Sequence, residues 1–394
     1  MNLRILPLIS LGLIPASVGA AGYYLPNQDA FATARGNAFV ASADRPSAVF
    51  YNPAGLTQLE SPEAEVGIYA IDLGTEVTKG HERFGAKSEW QAVPHLYYGQ
   101  PINDKLAWGF GINSPFGLGN HWGQGSPFRT VVTEAKLIYV ATTLAVAYDV
   151  TDTLSVGAGV SYNYANLMLE QGLGYKPLDF LRVHADGDSV SGELGVRWQP
   201  TEKHAFGLTA TTETSQELKG KVYSNILGTG PASIDFQTPM KLAFGYSYRP
   251  APGWNFETNV EWLDWDSLNS LYLRSSHVPN GGINVPFDWK SSFIYEAGVS
   301  YTLDNGYSFA VGYDYNSNSQ PDANYTPSVG DADRHWFNAG FGKDYGCWSW
   351  FLTYQFGYAN RVVSGASNTA AGENANGKYQ SRNNAVSVSI TRHF

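Results

Sequence analysis

Ala385-Val386-Ser387-Val388-Ser389-Ile390-Thr391-Arg392-His393-Phe394 is the stretch whose reading decides the fold. Val386, Val388, Ile390, Arg392 and Phe394 share one row; Ser387, Ser389 and Thr391 share the other. Period-two alternation marks a strand, because successive side chains leave a pleated backbone on opposite faces. The pattern recurs along the chain from about Glu63. Leu154, Val156, Ala158, Val160 and Tyr162 alternate with Ser155, Gly157, Gly159, Ser161 and Asn163. Leu242, Phe244, Tyr246 and Tyr248 repeat it, as do Phe309, Val311, Tyr313 and Tyr315. The longest such row is Trp348, Trp350, Leu352, Tyr354, Phe356 and Tyr358. An apolar row on every strand needs lipid or a core beside it. The small and polar row opposite suits a crowded or solvated interior.

Fourteen such strands can be counted. They start near Pro62, Glu89, Lys105, Val131, Thr153, Gly187, His204, Ser233, Gly253, Phe287, Gly306, Asp333, Cys347 and Lys378. The number is even, as in bacterial single-chain membrane barrels. Short connections (Asp149–Asp152, Pro200–Lys203, Asp304–Gly306) alternate with long ones (Glu76–Lys87, Leu118–Thr130, Gln171–Asp186, Ser276–Pro286, Gln320–Asp331). Short periplasmic turns and long outer loops are the asymmetry of such barrels, so odd strands rise outward and even strands return. Read with this count, the terminal phenylalanine on an alternating strand resembles the signal read by the outer-membrane assembly machinery. That machinery is therefore an expected partner.

Composition agrees. Charged residues make up 15% of the chain, where a soluble domain carries about a quarter. Asn2 and Arg4 open an apolar stretch, Ile5–Val18, that Pro7 and Pro15 interrupt before Val18-Gly19-Ala20. This reads as a secretory signal peptide over residues 1–20. The stretch is shorter than the roughly 20 residues of a spanning helix. Without Arg4, 24 basic residues stand against 35 acidic ones, which argues against a nucleic-acid partner. Cys347 is the sole cysteine, so no internal disulfide forms, and no cofactor or metal motif stands out among the scattered histidines.

Residues 21–60 do not alternate. Ala30, Ala32, Ala34, Gly36, Ala38, Ala41, Ser42 and Ala43 are small, and Tyr51-Asn52-Pro53-Ala54-Gly55-Leu56 follows. A closed barrel of this size encloses a lumen that is either wet or filled, and this segment is a natural filler. Pro53 fixes its own φ and biases Asn52 to an extended shape. Ala21-Gly22-Tyr23, Ala34-Arg35-Gly36-Asn37-Ala38, Ser47-Ala48-Val49-Phe50-Tyr51 and Asn52-Pro53-Ala54-Gly55-Leu56 resemble the FadL / OmpP1 / TodX family of outer-membrane transporters of hydrophobic compounds. Asn52, Pro53 and Ala54 are the most specific match, and Asp333-Arg334-His335-Trp336 is similar to a late family pattern. The expected fold is thus all-β: a hatch (21–60) inside a fourteen-stranded antiparallel transmembrane barrel (61–394) of the Gram-negative outer membrane, expected as a monomer among lipid and lipopolysaccharide.

The resemblance implies capture of a hydrophobic molecule at outer loops, a lumen site, and sideways release at a break in the third strand. That strand holds Asn113-Ser114-Pro115-Phe116-Gly117. Proline cannot donate to a ladder, so Pro115 marks either the lateral opening or merely the strand's end. Family members use basic lumen residues for a ligand carboxylate. Row parity places Phe293, Tyr295 and Trp289 outward and Lys290, Ile294 and Glu296 inward, with Arg361 and Lys241 inward on their own strands. Lys290, Arg361 and Lys241 therefore either meet a carboxylate or pair with acids such as Glu296. Trp265, Trp336 and Phe351 interrupt the polar row and either line a ligand site or fill space against the hatch. Trp122, Phe128, Ile226 and Leu227 belong to outer loops and form either a capture groove or part of an aromatic girdle.

Three other classes fit less well. A lipid-acting barrel enzyme asks for Ser and His together on a strand, and no Gly-x-Ser-x-Gly is present. A general porin is defeated by a filled lumen. An energised receptor needs a larger plug and about 22 strands. Fatty acids, alkanes and monoaromatics all suit an apolar lumen, and only the first asks for a basic anchor.

Overall fold

A computed structural model describes residues 22–368 and 372–394. The signal-peptide stretch 1–20 and Ala21 lie outside them. Fourteen strands form one antiparallel sheet among the described residues. The first five are β1 (Glu63–Lys79), β2 (Glu82–Gly85 and Trp90–Asn103), β3 (Leu106–Asn113 and Gly117–His121), β4 (Glu134–Thr151) and β5 (Leu154–Gln171). Then come β6 (Leu181–Thr201), β7 (His204–Thr211 and Thr214–Ser224), β8 (Gly228–Thr238 and Lys241–Tyr248), β9 (Trp254–Leu263 and Ser270–Arg274) and β10 (Gly282–Pro286 and Ser292–Thr302). The last four are β11 (Tyr307–Asn316), β12 (Arg334–Asp344), β13 (Trp348–Val363) and β14 (Gly377–His393). Each strand pairs with its neighbours, and β1 closes on β14 from Glu63–His393 to Thr78–Lys378. The terminal strand thus closes the barrel. Closure leaves no free edge, which a wall in lipid requires.

Alternation sets the two faces. Leu194, Val160 and Phe244 are more than half exposed on the outside, while Glu193, Asn163 and Thr209 point inward and are buried. Residues 24–59 are mostly buried and pack against the strands' inner rows. Helix α1 (Ala30–Ala34) is capped by Asp29, whose Oδ1 accepts from Ala32 N at 2.8 Å. Helix α2 (Ala48–Tyr51) leads into a 3-10 turn, Pro53–Gln58. Small inner-row residues let this backbone reach the wall. A Cβ on Gly195 would strike Asn52 and Pro53, one on Gly157 would strike Pro53 and Ala54, and one on Gly312 would strike Arg35 and Gly36.

Strands β6 to β10 are longer than the alternation implies. β6 begins at Leu181 instead of Gly187, and β8 at Gly228 instead of Ser233. Their outer ends carry apolar residues on the inner row and charges outside, so the apolar row changes sides and reads as a break. A second correction concerns β10. Trp289 is 3% exposed and faces inward, whereas Lys290 is exposed. Residues 287–291 leave the sheet there, with Asp288 at φ +42° and the amides of Phe287 and Asp288 both bonded to Asn269 O. This irregular stretch resets the parity, and Lys290 does not enter the lumen.

Candidate functional site

The outer ends of the strands enclose a cavity of about 270 Å³. Leu137, Leu167, Val183, Phe236, Leu271 and Leu273 supply apolar walls, and Tyr23, Tyr24 and Leu25 form its floor. The loop 317–333 reaches the cavity with Thr326, Ser328 and Val329. The volume lies just under the roughly 300–1,000 Å³ usual for small-molecule sites. Its polar rim includes Thr75, Asn120 and Arg334.

An aromatic group joins floor to wall. Tyr23 packs on Trp265 at 4.8 Å and on Phe116 at 5.8 Å, and Trp265 meets Trp289 at 5.1 Å. Trp265 is wholly buried in the 3-10 turn Trp265–Ser267 that interrupts β9. Phe351 packs on Phe31 of α1 at 5.2 Å, deep against the filler. Trp336 contacts a smaller pocket beside the cavity, with Arg334 over its ring at 5.8 Å.

The wall is broken beside this floor. The β2–β3 ladder ends at Leu96–Ile112, and β3 resumes at Gly117 in a ladder with β4, held on the β2 side by Lys87 N donating to His121 O at 2.7 Å and Gln91 Nε2 to Gly119 O at 3.0 Å. Asn113 is the last residue before the break, and Pro115 lies within it without ending the strand. The N-terminal segment supplies the missing partners. Leu25 N donates to Pro115 O at 2.8 Å and Gly117 N to Tyr23 O at 3.0 Å. Gln28 accepts from Ser114 N at 3.1 Å and donates to Ser114 O at 2.9 Å, and Tyr24 bridges Phe116.

The basic residues separate. Arg361 is engaged by the loop 317–333, donating to Asp322 Oδ1 and Gln320 O at 2.6 Å and to Asp331 O at 2.7 Å. Lys241 lies in a second pocket of about 60 Å³ below the cavity. Its ammonium donates to Tyr24 Oη at 3.2 Å and stands 4.9 Å from the Phe50 ring. Sequence reasoning missed Arg334 as a cavity residue. It lines both the cavity and the pocket beside Trp336, and its buried Nε has no partner among the described residues. The signal was present, since Arg334 shares a row with Trp336.

The loop aromatics are packed, not open. Trp122 donates from Nε1 to Pro327 O at 2.9 Å and stacks edge-on with Phe128, which is wholly buried. Ile226 is 39% exposed, and Leu227 packs partly against the cavity cluster. Asn52 ties the filler to the wall, donating to Val40 O at 2.8 Å and Val196 O at 3.1 Å and accepting from Ala54 N at 3.1 Å.

The family described as outer membrane protein transport protein (OMPP1/FadL/TodX) matches residues 12–394. A long-chain fatty acid transport protein of Escherichia coli O6:H1 is 23% identical, covering 91% of this chain and 89% of its own length. A putative outer membrane protein of Neisseria meningitidis serogroup B is 24% identical over 84% of each chain. Among solved structures, a Pseudomonas aeruginosa FadL homologue superposes with TM-score 0.81 at 18% identity, covering 95% of this chain and all (100%) of that one. The Pseudomonas putida toluene transporter TodX gives TM-score 0.74 at 17% identity, covering 93% and 98%. At these identities the structures speak for the fold.

Proposed function

From the premise that the chain belongs to the OMPP1/FadL/TodX family of outer-membrane transport proteins, we propose that it carries hydrophobic molecules through the outer membrane by passive capture, cavity binding and sideways release. The observation that carries this is an apolar cavity whose floor is also the patch over a broken wall. Tyr23, Tyr24 and Leu25 line the cavity and bond to Pro115, Phe116 and Gly117. A solute entering from the outer loops meets this floor before it reaches lipid. Displacing the floor strand exposes the break between β2 and β3, and apolar solutes gain about 0.8 kcal/mol per methylene in bilayer over water. No energy source is needed for that direction.

Residues 21–60 act as the hatch in this reading, and Asn52-Pro53-Ala54 seat it on the wall. Lipopolysaccharide surrounds the outer half, and the chain works as a monomer. The named relatives are described by long-chain fatty acids and toluene, and either class suits the cavity. Arg334 is the residue placed to meet an acidic head there, more directly than Lys290, Arg361 or Lys241. The exposed Ile226 and the half-buried Leu227 stand at the outer approach. The transporter reading leaves no catalytic role to assign.

Uptake by cells lacking their own carrier tests this, with a fatty acid, an alkane and a monoaromatic compared. Planar-bilayer conductance of the intact chain is expected near zero, and deletion of residues 27–53 is expected to open it. Steady conductance by the intact chain overturns the hatch; failure to take up all three classes overturns the transport reading.

A further inference from the structure

The pocket beneath the cavity has a chemistry of its own. It is lined by Lys241 and Glu193 together with Ser161, Asn163, Ser191 and Thr211. Its volume of about 60 Å³ is room for roughly two waters, each taking about 30 Å³ in the liquid. Glu193 is 8% exposed, and its Oε1 has no hydrogen-bond partner among the described residues. Lys241 is 7% exposed. An ammonium has three N–H donors. One reaches Tyr24 Oη and one faces the Phe50 ring, which leaves one. Glu193 and Lys241 act on each other electrostatically but form no ion pair among the described residues. An unfilled acceptor and an unfilled donor therefore share one small pocket.

Resting on the transport reading above, we propose that this pocket takes the hydroxyl of an apolar alcohol or phenol, which donates to Glu193 and accepts from Lys241. A carboxylate suits it poorly. It has no donor to offer, so it leaves the Glu193 Oε1 acceptor unfilled. A bare hydrocarbon leaves both buried groups unmatched, and unmatched buried polar groups are what give a site discrimination. The two spaces are neighbours. Tyr24 lines both the cavity and this pocket, and Pro115 and Phe116 of the wall break line the pocket's other side. The apolar body of such a molecule stays in the larger cavity, against Leu137 and Phe236, and only its hydroxyl enters the pocket.

The test compares 4-propylphenol, propylbenzene and 4-propylbenzoate on the full chain in nanodiscs at neutral pH, with equilibrium dialysis as the readout. The phenol is expected to bind about tenfold or more tightly than either of the others, the scale of one matched hydrogen bond to a charged group. In Glu193→Leu and, separately, in Lys241→Met, the phenol-to-hydrocarbon ratio is expected to fall toward one. Two variants are used because either alone risks misfolding, which a thermal melt detects. Equal binding of all three compounds, or a benzoate that binds best, overturns the hydroxyl site and leaves transport standing. A ratio that survives in both folded variants overturns it too. If none of the three binds the wild-type chain, the transport reading fails and takes this site with it.

Discussion

β6 passes through two environments, and the same alternation serves both with its chemistry reversed. From Val190 to Trp198 its outer row is Val190, Leu194, Val196 and Trp198, and its inner row includes Glu193 and Arg197. From Leu181 to Asp188 the outer row is Arg182, His184, Asp186 and Asp188, while Leu181, Val183 and Ala185 are buried inside. The lower part is a membrane wall with a polar filling. The upper part is a water-exposed sheet with an apolar filling, and there the cavity forms. One solvent lies outside each part, and the row facing it matches: lipid takes aliphatic side chains, water takes charges. The inner chemistry is then free to differ. Below, it holds a backbone segment through hydrogen bonds; above, it is set for an apolar solute.

The lower filling depends on buried polar pairs, and the largest effect is expected there. Arg35 and Glu257 meet at 3.1 Å with both side chains fully buried. Glu257 also accepts from Ala41 N at 2.7 Å and from Ser42. Arg35→Met strands a buried carboxylate and is expected to cost about 3–5 kcal/mol. Arg35→Met with Glu257→Gln, which keeps an acceptor for Ala41 N without the charge, is expected to recover most of that. Urea unfolding in vesicles reads both, and a double variant no better than the single would show that this filling does not rest on the pair.

The outer row separates the two regions next. Leu194→Lys puts a charge on the lipid face and is expected to cost about 2–4 kcal/mol. Lys221→Leu lies on the outer row of the upper sheet and is expected to stay within about 0.5 kcal/mol. Equal costs at the two positions would erase the boundary drawn between them. Below the Leu194→Lys effect in size comes Asn52→Ala, which removes a cap and two tethers to Val40 and Val196. It is expected to cost about 1–2 kcal/mol. A rise in bilayer conductance with little change in unfolding would locate the loss at the seating of the N-terminal segment.

The lower region was the legible one. Alternation with an apolar outer row gave the strand number, the directions and the closing role of β14, because lipid imposes the same rule on every strand. The upper region was harder for a physical reason. Where Leu181, Val183 and Ala185 turn inward, the apolar row changes parity, and a reader following one row sees a loop. Lys290 was misplaced because residues 287–291 leave the sheet, and no periodic signal survives such a gap. Arg361 was correctly inward, yet only the folded loop reveals that Asp322 and the carbonyls of Gln320 and Asp331 hold it. Arg334 stood in the open, two residues before Trp336 on the same row.

The smallest effect belongs to the loop 317–333 that borders the cavity. Asp333 Oδ1 accepts from Asn318 N at 3.1 Å. Burial, with Asp331 adding its charge and Arg361 opposing, raises the Asp333 carboxyl to about 6. A raised carboxyl binds its proton more tightly in the folded loop than in the open one. Stability from this group is therefore complete below the ordinary carboxylate range and is lost as pH rises through about 6. Amide exchange in 317–333, corrected for the intrinsic rate, is expected to be slower at pH 5 than at pH 7. Asp333→Asn keeps the acceptor without the charge and is expected to hold the low-pH protection at both values. Protection that instead grows from pH 5 to pH 7 in the wild-type chain would mean that the ionised Asp333 is the form the loop prefers, with Arg361 outweighing burial.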